Sequence, residues 1–160
     1  MPGHFEGSRS VNRDFAEMLS ALSEAGTEYL VVGGYAVIAH GYPRATGDID
    51  IWVRPTPENA ERVMLALKRF GAPLADLTEQ DLVTPGLIFQ IGVVPNRIDI
   101  LTEIDGVTFD EAWASRITAS VEGQEIPVLG KTALLRNKKA TGRTKDLLDA
   151  NWLEEPDEPA

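Results

Sequence analysis

The stretch LVVGGYAVIAHGYPRATGDIDIWV, residues 30–53, decides how the chain is to be read. The run Glu28 to Val32 (EYLVV) is short, apolar and β-prone, and it ends in Gly33-Gly34. Tyr35 to His40, rich in Ala, Val and Ile, follows as a short helix, so the order is strand, glycine turn, helix. A polar connection with Gly41, Pro43 and Gly47 then leads to Asp48 to Val53 (DIDIWV), which alternates polar and apolar positions like a half-buried strand. Successive strand side chains point to opposite faces. Asp48 and Asp50 therefore share one face, about 7 Å apart, while Ile49, Ile51 and Val53 face the core. Like charges held this close raise each other's pKa unless positive charge lies between them, and a divalent cation meets that need.

On the N-terminal side, Val11, Phe15, Met18, Leu19 and Leu22 recur three or four apart before Gly26, which predicts an amphipathic helix from about Ser10 to Ala25. On the C-terminal side, Thr56 is set as an N-cap with Pro57 at the first helical position, and the pattern runs to Phe70 and stops at Gly71. Beyond a stretch containing Pro73 and Pro85, two β-prone runs, Leu87 to Val94 and Arg97 to Leu101, flank Pro95-Asn96 and predict a hairpin. The run RIDIL repeats the earlier alternation, with Asp99 between Ile98 and Ile100; if its strand neighbours the first, three carboxylates converge. Phe109 to Arg116 reads as a short helix and Ile117 to Val128 as two short strands. Helical patterns over about 132–140 and 145–153 finish the chain. The expected class is α+β, a small mixed β-sheet with helices packed on it and helices at the C-terminus.

At 160 residues the chain fits one domain over 1–160, with flexible tails expected at 1–9 and 155–160. An apolar fraction of 43% with 25% charged residues is the balance of a globular protein and excludes a disordered or fibrous one. No run approaches the roughly 20 apolar residues of a membrane span, and the start has no secretory signal pattern, so a cytoplasmic location without membrane partners is expected. The absence of cysteine excludes disulfides and thiolate metal sites, leaving oxygen or imidazole ligands and hard cations such as magnesium. The net charge of -10 opposes broad adhesion to nucleic acid. Charge is uneven, however: residues 131–145 (KTALLRNKKATGRTK) hold six basic residues and no acid, a candidate for a local phosphate-binding patch on an acidic chain.

A bare D-x-D matches often by accident, and a bare Gly-Gly is as readily a tight turn. Together they carry more. Where a strand ends at glycines and a helix begins, free backbone N–H groups make a place for phosphate, and glycine lets the backbone come close to it.

The apolar strand, Gly33-Gly34, thirteen intervening residues, Asp48-Ile49-Asp50 and the later strand residue Asp99 resemble the DNA polymerase beta-type nucleotidyltransferase superfamily. The segment Arg44 to Asp50 (RATGDID), with Lys138, Arg143, Lys145, Asp146 and Asp149 in a K-x-x-x-x-R-x-K-D-x-x-D pattern, is further similar to small prokaryotic enzymes related to the abortive-infection (AbiEii-like) toxins. The similarity runs from about Leu30 to Trp152, and the extra helical region of the larger toxins is missing. The resemblance implies a nucleotidyltransferase fold. In it Asp48, Asp50 and Asp99 are the catalytic carboxylates and hold two Mg2+ ions, with Mn2+ as an alternative. Gly33 and Gly34 seat a nucleoside triphosphate, and Lys138 and Arg143 supply charge to it, assisted by Lys145 or Arg44.

The implied reaction is attack of an acceptor hydroxyl on the α-phosphorus with release of pyrophosphate. Two metals serve it by activating the nucleophile and neutralising the leaving oxygens. The acceptor stays open among RNA such as tRNA, a protein side chain and a small molecule; a toxin with a cognate antitoxin protein is one setting. The competing reading is a catalytically idle nucleotide-binding or partner-binding module of the same fold. A third is a different D-x-D phosphotransfer or glycosyl-transfer enzyme, against which the upstream glycines and Asp99 speak. Asp146 is expected to pair with Arg143 or cap the last helix, Trp52 and Tyr35 to pack, and His40 to sit at a helix end.

Overall fold

The computed structural model of the chain describes residues 13–42 and 46–155. Helix α1 (Arg13–Glu24) buries Phe15, Met18, Leu19 and Leu22, the stripe its spacing marks out. Strand β1 (Tyr29–Val32) is buried throughout and runs straight into α2 (Gly33–Ala39). No separate turn intervenes: Gly33 is itself the first residue of the helix, with φ of 67°. Strand β2 (Ile49–Val53) is followed by α3 (Pro57–Phe70). Thr56 caps α3 by accepting from the Asn59 N–H, and Gly71 closes it in the left-handed conformation.

The stretch with Pro73 and Pro85 holds one 3-10 turn, Asp81–Val83, anchored by fully buried Leu82. The hairpin follows as β3 (Ile88–Ile91) and β4 (Ile98–Leu101), then α4 (Phe109–Ala114), opened by a capping box between Thr108 and Glu111. A second hairpin, β5 (Ile117–Val121) and β6 (Gln124–Val128), precedes α5 (Lys131–Thr141) and α6 (Thr144–Glu154), which pack on each other.

Among the described residues six strands form one mixed sheet in the order β3-β4-β2-β1-β6-β5. β1 pairs antiparallel with β2 and parallel with β6, and β2 pairs parallel with β4. This is the expected α+β class. The β2–β4 pairing positions the site. The two strands are far apart in sequence yet lie side by side with Asp50 opposite Asp99 and Ile51 opposite Ile100. Ile49, Ile51, Val53, Ile98 and Ile100 are buried in the core with Leu30, Val37 and Leu67.

Two expectations for β2 need adjustment. Asp48 lies just before the strand, because the ladder begins where the Ile49 N–H donates to the Arg97 carbonyl. The strand is also half-buried only at its start. Trp52, on the face of the aspartates, is buried against Phe109 of α4, edge to face at 4.9 Å between centroids. α4 thus covers the far end of that face and leaves Asp50 at the open end.

Candidate active site

The centre of the site is the cross-strand pair Asp50 and Asp99. Burial pushes the Asp50 carboxyl up to about 6, and the charge of neighbouring Asp99, a hydrogen bond with it, and the charge of Asp48 push the same way, with Lys138 partly opposing them. Asp50 and Asp99 are thus two carboxyls forced together in a poorly solvated place, an arrangement that costs stability unless a cation relieves it.

That relief comes, at Asp99 and Asp48, from a residue the sequence reading passed over. Arg97 donates from Nε to Asp99 Oδ1 at 2.7 Å and from a terminal nitrogen to Asp99 Oδ2 at 3.1 Å. The same terminal nitrogen lies 3.6 Å from Asp48 Oδ2. The Arg97 backbone N–H donates to the other oxygen of Asp48, at 3.0 Å. The signal was present in R-I-D: Arg97, at the entry to β4, and Asp99 within it are two apart along extended backbone and turn to one side.

The glycines are demanded by contact. Gly33 has a positive φ, and a β-carbon on it would fall 2.2 Å from Asp50 Oδ2; one on Gly34 would fall 2.8 Å from the Thr46 hydroxyl. The β1–α2 junction therefore sits directly against the carboxylates, with no side-chain cap on α2. Gly47 is as tightly placed, 2.3 Å from the Pro95 carbonyl by the same measure, which holds the approach to Asp48 against the β3–β4 hairpin.

Of the basic residues, Lys138 is buried, with Nζ 2.9 Å from Asp146 and 3.3 Å from Asp149. Asp146 also accepts from the Thr141 hydroxyl at 2.7 Å and from Arg143 Nε at 2.8 Å. Burial alone would raise the Asp146 carboxyl, but the hydrogen bonds from Lys138 and Thr141, the charge of Lys138 and the hydrogen bond from Arg143 bring it down to about 2. The expected Asp146–Arg143 pair is there, with Lys138 as its deeper partner. Lys138 is already spent on two acids, and the exposed Arg143 is the one whose guanidinium extends outward. Lys145 also faces the cleft. Arg44 lies outside the described residues.

These elements line one cleft of about 1110 Å³. Its floor is Asp48, Asp50 and Asp99, and one part of the lining is basic, with Lys138 from α5, Lys145 from α6 and Arg143 from the link between them. The lining from β3, β4 and the following loop is apolar and acidic, with Ile88, Leu101, Ile104 and Glu103, while Asp105 lies beside α5, its carbonyl accepting from the Asn137 side-chain amide at 2.9 Å. The other expectations stay outside it: Tyr35 is buried edge-on against Phe15, and His40 Nε2 is 2.9 Å from the Leu129 carbonyl at the end of α2. Among the described residues no three acidic or imidazole side chains are gathered into a ready-made metal cage. The donor set nevertheless fits a hard cation: carboxylate oxygens only, with a positive group already drawn in between Asp48 and Asp99.

The mixed sheet with its helices is the fold of nucleotidyltransferases of known structure. The chain superposes on TM1012 from Thermotoga maritima, assigned as a nucleotidyltransferase, with a TM-score of 0.60 at 17% identity, covering 90% of this chain and 92% of that one. It superposes equally on the lincosamide antibiotic adenylyltransferase LnuA in its lincomycin-bound form, TM-score 0.60 at 16% identity, over 90% and 96% of the two chains. The antibiotic-resistance factor ANT(2'')-Ia gives 0.59 at 14%, over 88% and 80%. No protein-family model matches the sequence, and no curated protein matches it. The likeness is one of fold. Among the described residues no helix is long and apolar enough to cross a membrane.

Proposed function

We propose that the chain is a metal-dependent nucleotidyltransferase that moves a nucleoside monophosphate from a nucleoside triphosphate to an acceptor hydroxyl. The observation that carries this reading is Asp50 facing Asp99 across β2 and β4, with Asp50 Oδ2 occupying the space that a β-carbon on Gly33 would need. Asp48, Asp50 and Asp99 would hold Mg2+, which activates the acceptor oxygen and offsets charge on the leaving pyrophosphate. The triphosphate lies along the β1–α2 junction, where glycine at 33 and 34 allows close approach to backbone N–H groups. Arg143 and Lys145 meet its charge from the basic part of the lining. Lys138, tied to Asp146 and Asp149, acts at longer range on Asp50. Asp99, on the acceptor side of the floor, accepts the acceptor's proton. Catalysis here is positioning and electrostatics.

The apolar and acidic part of the lining favours as acceptor a small molecule with an apolar body and a positive group over RNA. Ile88, Leu101 and Ile104 offer apolar contact, and Glu103 near them repels phosphate. Much of the basic stretch that suggested RNA is engaged at home: Arg136 pairs with Glu111, Lys139 with Glu154, and Lys138 with Asp146 and Asp149. This weighs against a toxin acting on tRNA with a cognate antitoxin. One observation favours the idle module instead, the Arg97 guanidinium between Asp48 and Asp99.

The test is incubation of the protein with each α-labelled nucleoside triphosphate, Mg2+, and three acceptor pools: amine-bearing hydroxyl compounds, tRNA and cell extract. Label moved to the first pool and lost in the Asp48→Ala, Asp50→Ala double variant is the expected result. Label moved to tRNA would replace the acceptor assignment, and nucleotide binding without any transfer would favour the idle module.

A further inference from the structure

Arg97 is tied to the carboxylate floor in two separable ways. Its backbone N–H holds Asp48 Oδ1 and its carbonyl receives the Ile49 N–H, so the main chain fixes the start of β2 against the start of β4. Its guanidinium, independently, takes both oxygens of Asp99 and approaches Asp48 Oδ2. Withdrawing the guanidinium frees three oxygens facing one another while Asp48 stays anchored through the fourth. The side chain is 27% exposed, so it can swing to solvent on a long flexible stem without breaking the core.

We propose that Arg97 is a positioning residue for metal: its guanidinium stands in for a divalent cation between Asp48 and Asp99, holds them in place, and competes with the incoming cation for the same oxygens. The inference rests on the metal-dependent reading of the site and adds what that reading does not contain, a residue whose removal strengthens metal binding. Three carboxylates within one small area repel one another when no cation is near, and Arg97 spares the floor that repulsion. A doubly charged ion then replaces a singly charged group whose hydrogen bonds must be given up. Metal alone therefore binds weakly, and a triphosphate that brings charge and ligands of its own tips the exchange.

The experiment is titration of the whole chain with Mn2+, without nucleotide, followed by electron paramagnetic resonance of the free ion. Wild type is compared with Arg97→Gln and Arg97→Lys, and with Lys145→Gln, which removes one charge from the same cleft without vacating the space between Asp48 and Asp99. Loss of a charge-assisted pair is expected to tighten Mn2+ binding in Arg97→Gln by about tenfold or more, with Arg97→Lys between it and wild type. Lys145→Gln is expected to change it less than about twofold, as a more distant screened charge. In the wild type, Mg2+ should also shift the Arg97 Nε–H resonance as its bond to Asp99 is released, a readout that needs no variant to fold.

A purely structural Arg97 gives the opposite sign: loosened carboxylates and equal or weaker Mn2+ binding in Arg97→Gln, which would overturn the inference. So would equal tightening in Lys145→Gln, which would reduce the effect to general electrostatics. A parallel equilibrium dialysis of each form against Mn2+–ATP separates the two readings. If the wild type retains Mn2+–ATP and Arg97→Gln gains nothing in the free-ion titration, the inference alone falls; if no form binds Mn2+ in the titration or retains Mn2+–ATP in dialysis, the metal-dependent reading falls with it.

Discussion

Oδ2 of Asp50 lies 2.2 Å from where a β-carbon on Gly33 would stand. With φ at 67°, Gly33 also occupies a backbone region that side chains avoid. Gly33→Ala is therefore expected to cost about 2–4 kcal/mol of stability, from left-handed strain and the clash together. It should also slow nucleotidyl transfer about 100-fold by displacing the carboxylate. Gly26→Ala is the control: φ is 74° but nothing lies within 4 Å of the new carbon, so about 1–2 kcal/mol is lost and activity is kept. Thermal melts and transfer assays on the two variants check this.

Asp50→Asn separates function from stability. The carboxyl is held up at about 6 by burial and by Asp99, so replacing it with a neutral isostere removes repulsion from the apo fold. The variant is expected to be more stable than wild type by about 1 kcal/mol in metal-free denaturant titration. Transfer should fall by at least about 10²–10³-fold. A destabilised variant would show that the Asp50 charge is compensated in the apo protein.

Lys138 lies between Asp146 and Asp149 with all three side chains buried. Lys138→Met leaves two acids without their shared cation and is expected to cost about 3–5 kcal/mol. The double variant Lys138→Met, Asp146→Asn should recover part of it, measurable as a coupling energy in a double-mutant cycle. Additive losses would mean that the pair is not coupled.

The two perturbed acids give pH dependences of opposite sign. Asp146, lowered to about 2 in the fold, is ionised natively at pH values where the unfolded chain still binds its proton. Its contribution is present above about pH 4 and is lost as pH falls toward 2, about 1–2 kcal/mol after solvent screening. Asp50, raised to about 6, holds its proton in the fold after the unfolded chain has released it. In metal-free buffer, stability is therefore expected to fall by about 2 kcal/mol as pH rises from about 4 to 6. Chemical denaturation across this range, repeated with Asp50→Asn, should flatten only the upper window.

Much was legible because it is local. The periodicity of α1, the Thr56 cap and Gly71 stop of α3, the first hairpin, the two short strands after α4 and the two C-terminal helices follow from spacing, caps and turn residues, whereas the pairing of β5 with β6 and of α5 with α6 came from the structure. Trp52 was legible only in part: its packing fate was expected, but not that α4 covers the aspartate face through Phe109, since that cover comes from residues more than fifty positions away. Asp48, Asp50 and Asp99 were each marked by alternation in an apolar run, which shows which way a side chain points but not what it meets.

The sequence by itself determined the elements, their faces and the residue types that could carry phosphate chemistry, because short-range periodicity and glycine placement are written into the chain directly. Only the tertiary structure decided that β2 and β4 are parallel neighbours in the register that sets Asp50 against Asp99, and that Arg97 lies between Asp99 and Asp48. It also decided that Lys138 is consumed by Asp146 and Asp149. Register and charge pairing across long loops depend on which surfaces fit together in three dimensions, a property that no window of neighbouring residues contains.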